Sequence, residues 1–194
     1  MLSLAFAWLL YGTIHSIMAS NYFKKFAAKL LGTNFRFYRL IYNFLAIILL
    51  IPVFIIAHSA PKNPLWQVSL FQIIIGQIMS FYGLFFILKA LRGYDLGEFS
   101  GFDFDKKQAK NEFKNDGLLK YMRHPIYFGI LVLIWGTFIT DASTRSLSNA
   151  IALTIYLFIG IYFEEKKLVE VFGEEYERYQ QNVPMLIPFL KFNF

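Results

Sequence analysis

The chain contains no cysteine, which excludes a disulfide framework, a thiolate metal site and a cysteine nucleophile. Charge is scarce as well: 16% of the 194 residues are Asp, Glu, Lys or Arg, where a soluble domain carries nearer a quarter. No basic stretch precedes the first apolar run. Its positive charges follow it instead, the reverse of a cleaved secretory signal. Internal repeats and low-complexity linkers are absent too. What fills the chain is apolar sequence: 57% hydrophobic and 20% aromatic, with a mean hydropathy of +0.46. These residues come in runs rather than in alternation, the pattern of an integral membrane protein.

Five runs have the character of spans: Leu2–Met18, Ile41–Ala57, Val68–Leu88, Ile126–Thr140 and Leu147–Phe163. A helix needs about 20 apolar residues to cross a hydrocarbon core of about 30 Å. The third run is full length. The last two are slightly short and draw on Tyr121, Tyr162 and Phe163 at their ends. Pro52 falls inside the second run, where it removes a backbone hydrogen bond and predicts a kink. The expected fold is therefore an all-α integral membrane protein of about five transmembrane helices. It is read as one domain: residues 1–93 form a three-helix, substrate-side part, and residues 94–194 a loop, a helical hairpin and a tail.

The basic residues orient it. Lys24, Lys25, Lys29, Arg36 and Arg39 lie in the first connection, and eight more lie between Lys89 and Arg123. Lys166, Lys167, Arg178 and Lys191 follow the last span, while the second and fourth connections hold only Lys62 and Arg145. Seventeen against two is a clear bias under the positive-inside rule. It predicts the N-terminus outside and the C-terminal tail in the cytoplasm, in the inner (plasma) membrane of a bacterium. The net charge of +6 needs no nucleic acid, because anionic headgroups at the membrane edge supply the counter-charge.

Two charged clusters carry the chemistry. Arg123-His124-Pro125 stands at the entrance of the fourth run, and Glu164-Glu165 at the exit of the fifth. If the two runs form an antiparallel hairpin turning near Ser143 and Thr144, both clusters sit about 20 residues from the turn, at one membrane edge. Pro125 suits the first turn of a helix and pushes His124 towards an extended conformation. The amide groups after Pro125, with Arg123 beside them, favour a carboxylate or phosphate. The glutamates suit an ammonium, a sulfonium or ribose hydroxyls. Taken singly, each cluster has a plainer reading: Arg snorkelling at the interface, or a solvated Glu-Glu-Lys-Lys turn. Their mirrored positions favour one mixed-sign site for a charged, soluble cofactor.

Gly117-Leu-Leu-Lys-Tyr-Met-Arg-His-Pro-Ile-Tyr-Phe-Gly129, Glu164-Glu165-x-x-Leu168, Phe172-Gly173-x-x-Tyr176-x-x-Tyr179 and Val183-Pro184-x-x-Ile187-Pro188 together resemble the C-terminal signature of the isoprenylcysteine carboxyl methyltransferase superfamily. The resemblance implies a membrane-embedded methyltransferase using S-adenosylmethionine at the cytoplasmic edge. It assigns cofactor contacts to Gly117, Tyr121, Arg123, His124, Pro125, Tyr127, Glu164, Glu165, Tyr176 and Tyr179, of which Tyr127, Tyr176 and Tyr179 read equally well as interfacial belt residues. Further motifs are His15-Ser16, Tyr38-Arg39-Leu-Ile-Tyr42-Asn43, Tyr94-Asp95-Leu-Gly-Glu98-Phe99-Ser-Gly101 and Trp135-Gly136. These are similar to the methanethiol S-methyltransferase and NnrU-like branch, which implies a small lipophilic or volatile acceptor, a thiol in the first place. The polar stretch Phe102–Lys114 departs from that pattern.

For catalysis, the candidates are His15 as a base and Arg39 and Asn43, one helical turn apart, which hold either the acceptor or simply the loop. A lone histidine in a span is also an ordinary helix–helix hydrogen-bond partner. Alternatives are a carboxyl methyltransferase for an isoprenylcysteine-like acceptor, an NADPH-dependent membrane reductase, and a non-catalytic membrane protein. A paired carboxylate fits a sulfonium cofactor better than one carrying several phosphates. No metal site is expected.

Overall fold

The computed structural model describes residues 2–93, 97, 100–102, 113, 115–188 and 190. Among these residues every regular element is helical. By packing, the chain divides into two compact units, Met1–Lys62 with Asp95–Ala109, and Asn63–Tyr94 with Lys110–Phe194.

The first unit is built on α1 (Leu2–Ala19), α2 (Asn21–Leu31), a 3-10 turn (Gly32–Phe37) and α3 (Tyr38–Ser59). The segment between the first two apolar runs, read as a plain connection, is thus mostly helical. Ser20 caps α2, with its hydroxyl accepting from the Phe23 amide at 3.2 Å. Gly32 ends it at φ 51, a conformation glycine adopts without a Cβ penalty. α1 and α3 are tied by polar groups in otherwise apolar faces. The Tyr38 hydroxyl donates to the Met18 carbonyl, and the Tyr42 hydroxyl lies 2.6 Å from His15 Nε2. Pro52 lies inside α3, which runs unbroken past it.

The second unit holds α4 (Leu70–Leu91), α5 (Pro125–Asp141), α6 (Thr144–Phe172) and α7 (Glu174–Asn182). α4, grouped from the sequence with the first two runs, packs here against α5. Glycines seven residues apart on each helix form the seam, Gly76 and Gly83 facing Gly136 and Gly129. A Cβ on Gly83 would lie 2.6 Å from the Leu133 amide nitrogen, and one on Gly136 would lie 2.7 Å from the Gly76 carbonyl. Inside lipid, where apolar surface gains nothing by leaving the solvent, such backbone approach is what holds helices together.

α5 and α6 form the expected hairpin. Ala142 takes a left-handed conformation (φ 41, ψ 43) and Ser143 caps α6 in a reciprocal box with Ser146. The preceding loop clasps this turn: the Leu65 amide donates to the Ala142 carbonyl at 2.8 Å and the Thr144 amide to Asn63 at 2.9 Å.

Among the described residues, three helical stretches are long and apolar enough to cross a membrane: Asn21–Ser59, Leu70–Leu91 and Thr144–Phe172. Ser3–Ala19 and Pro125–Asp141 are apolar but shorter. Of the Tyr94–Gly101 motif, only Gly97, Ser100 and Gly101 are described. Most of Phe102–Lys114 also lies outside the described residues.

Gly83→Ala should force the α4–α5 backbones apart and cost about 1–3 kcal/mol. Thermal unfolding in detergent should show it as a lower midpoint, with Gly160→Ala, where an added Cβ meets nothing, as the neutral control.

Candidate functional site

The site grows out of the hairpin's open end. Pro125 occupies the first turn of α5, and His124 before it is non-helical at φ −124 and ψ 66. α6 stays apolar to Phe163 and then presents Glu164 and Glu165, level with Arg123 and His124. A third strip of chain closes the end. Beyond α7 the tail turns back, so that the Arg123 amide donates to the Pro184 carbonyl at 2.9 Å and the His124 amide to Met185 at 3.0 Å. Met185 and Leu186 bury themselves against Ile161, with Tyr127, Phe128, Leu131 and Phe158 around them.

Arg123 is the centre of this knot. Its side chain is 4% exposed. Nε donates to Glu165 Oε1 at 2.5 Å and Nη2 to Oε2 at 3.1 Å, a bidentate fork. Nη1 reaches the Gln180 and Val183 carbonyls at 3.0 and 2.6 Å. Glu165 takes two further donors, His124 Nε2 at 3.0 Å and Gln180 Nε2 at 3.1 Å. An ionised carboxylate only accepts, so the imidazole carries a proton on Nε2. The Tyr176 hydroxyl stands 3.5 Å from Oε1, at the long limit of a hydrogen bond. Burial pushes that phenol well above the ordinary tyrosine range, and the Glu165 charge adds to the effect. Tyr176 therefore keeps its proton. No buried polar side-chain atom among the described residues lacks a partner.

The two glutamates thus differ. Glu165 is 12% exposed and absorbed by the knot. Glu164 is 43% exposed, and its Oε2 lies 3.9 Å from His124 Nδ1, near but not bonded. The Arg123 charge, expected to reinforce an anion site at the start of α5, is paired here with Glu165. What remains at the surface of the knot is the Glu164 carboxylate and the first turn of α5.

The other expected cofactor residues spread outward. The Tyr127 ring is 5.5 Å from His124. Tyr179 packs 5.7 Å from Tyr176 and donates to the Leu119 carbonyl at 2.6 Å. That bond pins the 3-10 turn Gly117–Lys120, which Gly117 opens at φ 55. Tyr121 is 61% exposed. Beside Tyr179 opens a cleft of about 470 Å³ lined by Phe113, Asn115, Lys120, Glu175, Arg178 and Asn182.

The catalytic candidates belong to the first unit. His15 pairs with Tyr42 and stacks 5.6 Å from Tyr11. Asn43 Nδ2 donates to the Ser100 carbonyl at 2.9 Å. Beside it, Gly101 (φ 86) brings its backbone against Arg39 and Leu40, so close that a Cβ there would lie 2.6 Å from the Leu40 amide nitrogen. His15 and Asn43 therefore have structural duties of their own, and Arg39 lends its backbone to the same packing.

Sequence reasoning missed Gln180 and the tail carbonyls. The need for them shows only once the arginine is known to be buried: its five N–H groups are more than one carboxylate satisfies. No group of three or more His, Cys, Asp or Glu suited to a metal occurs among the described residues.

A protein-family description, "Protein of unknown function (DUF1295)", matches residues 13–183. The chain belongs to this family. Its named relatives join it to the isoprenylcysteine methyltransferase-like superfamily. It is 32% identical over 187 residues to the methanethiol S-methyltransferase of Crocosphaera subtropica, covering 91% of this chain and 70% of that protein. Over 87 residues it is 44% identical to the methanethiol S-methyltransferase of Pseudomonas deceptionensis, spanning 45% of this chain but about a third (32%) of that protein. Protein-S-isoprenylcysteine O-methyltransferase B of Arabidopsis thaliana is 31% identical over 87 residues, or 44% of each chain. No solved structure matches.

Glu165→Ala should leave Arg123 buried without its counter-charge and cost about 3–5 kcal/mol, read as a large drop in the detergent unfolding midpoint. Glu164→Gln, at an exposed position, should leave that midpoint within about 0.5 kcal/mol of the parent.

Proposed function

We propose that this chain is a membrane-embedded, S-adenosylmethionine-dependent methyltransferase acting on a small thiol. The observation that carries the reading is the asymmetry of the glutamate pair. Glu165 locks Arg123, His124 and the tail into one rigid floor, while Glu164 stands half exposed at its edge beside His124. The donor set fits the cofactor's chemistry. Glu164 suits an ammonium or ribose hydroxyls, the amides opening α5 suit a carboxylate, and the part-exposed ring of Tyr127 suits a nucleoside.

When bound, the cofactor supplies a methyl group on a sulfonium, which is already a good leaving group. The protein's task is then alignment and exclusion of water rather than strong acid–base chemistry. A thiol reacts as its thiolate. His15 is our candidate for taking the acceptor's proton, and Arg39 and Asn43 for holding the acceptor. The thiol reading draws on the names of the Crocosphaera and Pseudomonas relatives. The Arabidopsis relative favours a second reading, methylation of a lipophilic carboxylate. The orientation consistent with both puts the Arg123–Glu165 end in the cytoplasm, where the cofactor is available.

Calorimetry on the purified chain tests the pocket. S-adenosylmethionine should bind, and Glu164→Gln should weaken it by more than about tenfold, about 1.4 kcal/mol, without changing the unfolding midpoint. His124→Ala should do the same at some cost in stability. No binding at millimolar cofactor would overturn the reading, and unchanged affinity in both variants would mean the pocket lies elsewhere.

A further inference from the structure

All 13 acidic residues of the chain lie at or beyond Asp95. Helix α2 of the first unit has no acidic residue and carries Lys24, Lys25 and Lys29 within its 11 residues. This helix is out of place as a spanning element. Eleven residues rise only about 16 Å, half a hydrocarbon core, and Gly32 at φ 51 breaks it from the apolar α3.

The two exposed stripes of α2 differ sharply in chemistry. Tyr22, Phe26 and Leu30, four residues apart and so on one face, are 86%, 56% and 75% exposed. Lys25 and Lys29 occupy the adjoining stripe and are exposed, while Ala27 turns inward at 6%. α1, in contrast, has no Lys or Arg at all, and α3 has only Arg39, in its first turn. Their exposed faces are plainly apolar and fit hydrocarbon. A helix facing water gains nothing by presenting three large apolar residues, and one inside the core gains nothing from three lysines. An apolar stripe bordered by lysines fits the plane where headgroups meet acyl chains, with the rings sunk and the ammonium groups raised to the phosphates.

We propose that α2 is an in-plane membrane-surface helix whose Lys25 and Lys29 select anionic phospholipid headgroups, with Tyr22, Phe26 and Leu30 immersed below them. Lys25 and Lys29 have the sign the surface needs. Each lysine near an anionic surface is worth about a fivefold gain in local lipid preference. The inference depends on the membrane reading of the chain and is independent of what the other unit catalyses.

The absence of cysteine makes the test clean. The full chain carrying Phe26→Cys, labelled with a bimane fluorophore, is placed in nanodiscs containing brominated phosphatidylglycerol or brominated phosphatidylcholine, each diluted in the unbrominated mixture. Quenching by both lipids is expected, with that by phosphatidylglycerol severalfold stronger at low salt. Adding Lys25→Gln and Lys29→Gln should bring the two lipids to parity while the unfolding midpoint stays unchanged. A second label at Leu30→Cys guards against a local effect of the first. Absence of quenching by either lipid would overturn the surface placement. Equal quenching by both in the parent chain, or a preference that survives removal of the lysines, would overturn the selection of anionic headgroups.

Discussion

The buried pair of Arg123 and Glu165 is the interaction on which the second unit depends. Taking two charges out of water costs several kcal/mol for each ion, and mutual attraction alone does not recover it. Here the cost is offset because every strong direction is used: a bidentate fork, two backbone carbonyls, an imidazole and an amide. The partners come from the start of α5, the charged end of α6, α7 and the tail. One arginine therefore ties four pieces of chain that have no apolar reason to stay together at a membrane edge. The same knot leaves Glu164 more exposed than Glu165, at 43% against 12%.

Two kinds of contact support the knot. Between α4 and α5 the seam is backbone on backbone, set by glycines at seven-residue spacing. Such a seam fixes the height of α5 and so the height of Arg123. Between α5 and α6, Trp135 donates to Thr154 at 3.0 Å, a polar tie inside apolar faces. Met185 and Leu186 then wedge against Ile161. The charged knot is thus set on a packed apolar floor, which keeps water from the arginine and makes the pair rigid.

Much of this was legible in the sequence, for physical reasons. The hairpin followed from two apolar runs of similar length with Ser143 and its neighbours between them. Equal distances from that turn brought Arg123 and Glu165 together. Pro125 marked the start of α5 because its ring suits a first turn. The tail's part was not legible: backbone carbonyls carry no residue signature, and Val183 acts through its carbonyl, while Gln180 adds a side-chain amide to its own. Nor was the difference between Glu164 and Glu165, since adjacent helix positions face about 100° apart and only the packed neighbours say which one points inward. α2 was missed because its lysines were counted as charge rather than read for their spacing against Tyr22, Phe26 and Leu30.

Methyl transfer itself is the most direct test of the account. Purified chain in nanodiscs, given S-adenosylmethionine with a trideuterated methyl group and methanethiol, longer thiols or prenylcysteine, can be followed by mass spectrometry. The expected result is a trideuteromethyl thioether from a small thiol, with an equal amount of S-adenosylhomocysteine, and a large loss of both in Glu164→Gln. Label found only on a prenylcysteine carboxylate would keep the cofactor site and contradict the thiol acceptor. No labelled product and no S-adenosylhomocysteine from any acceptor would contradict the methyltransferase account.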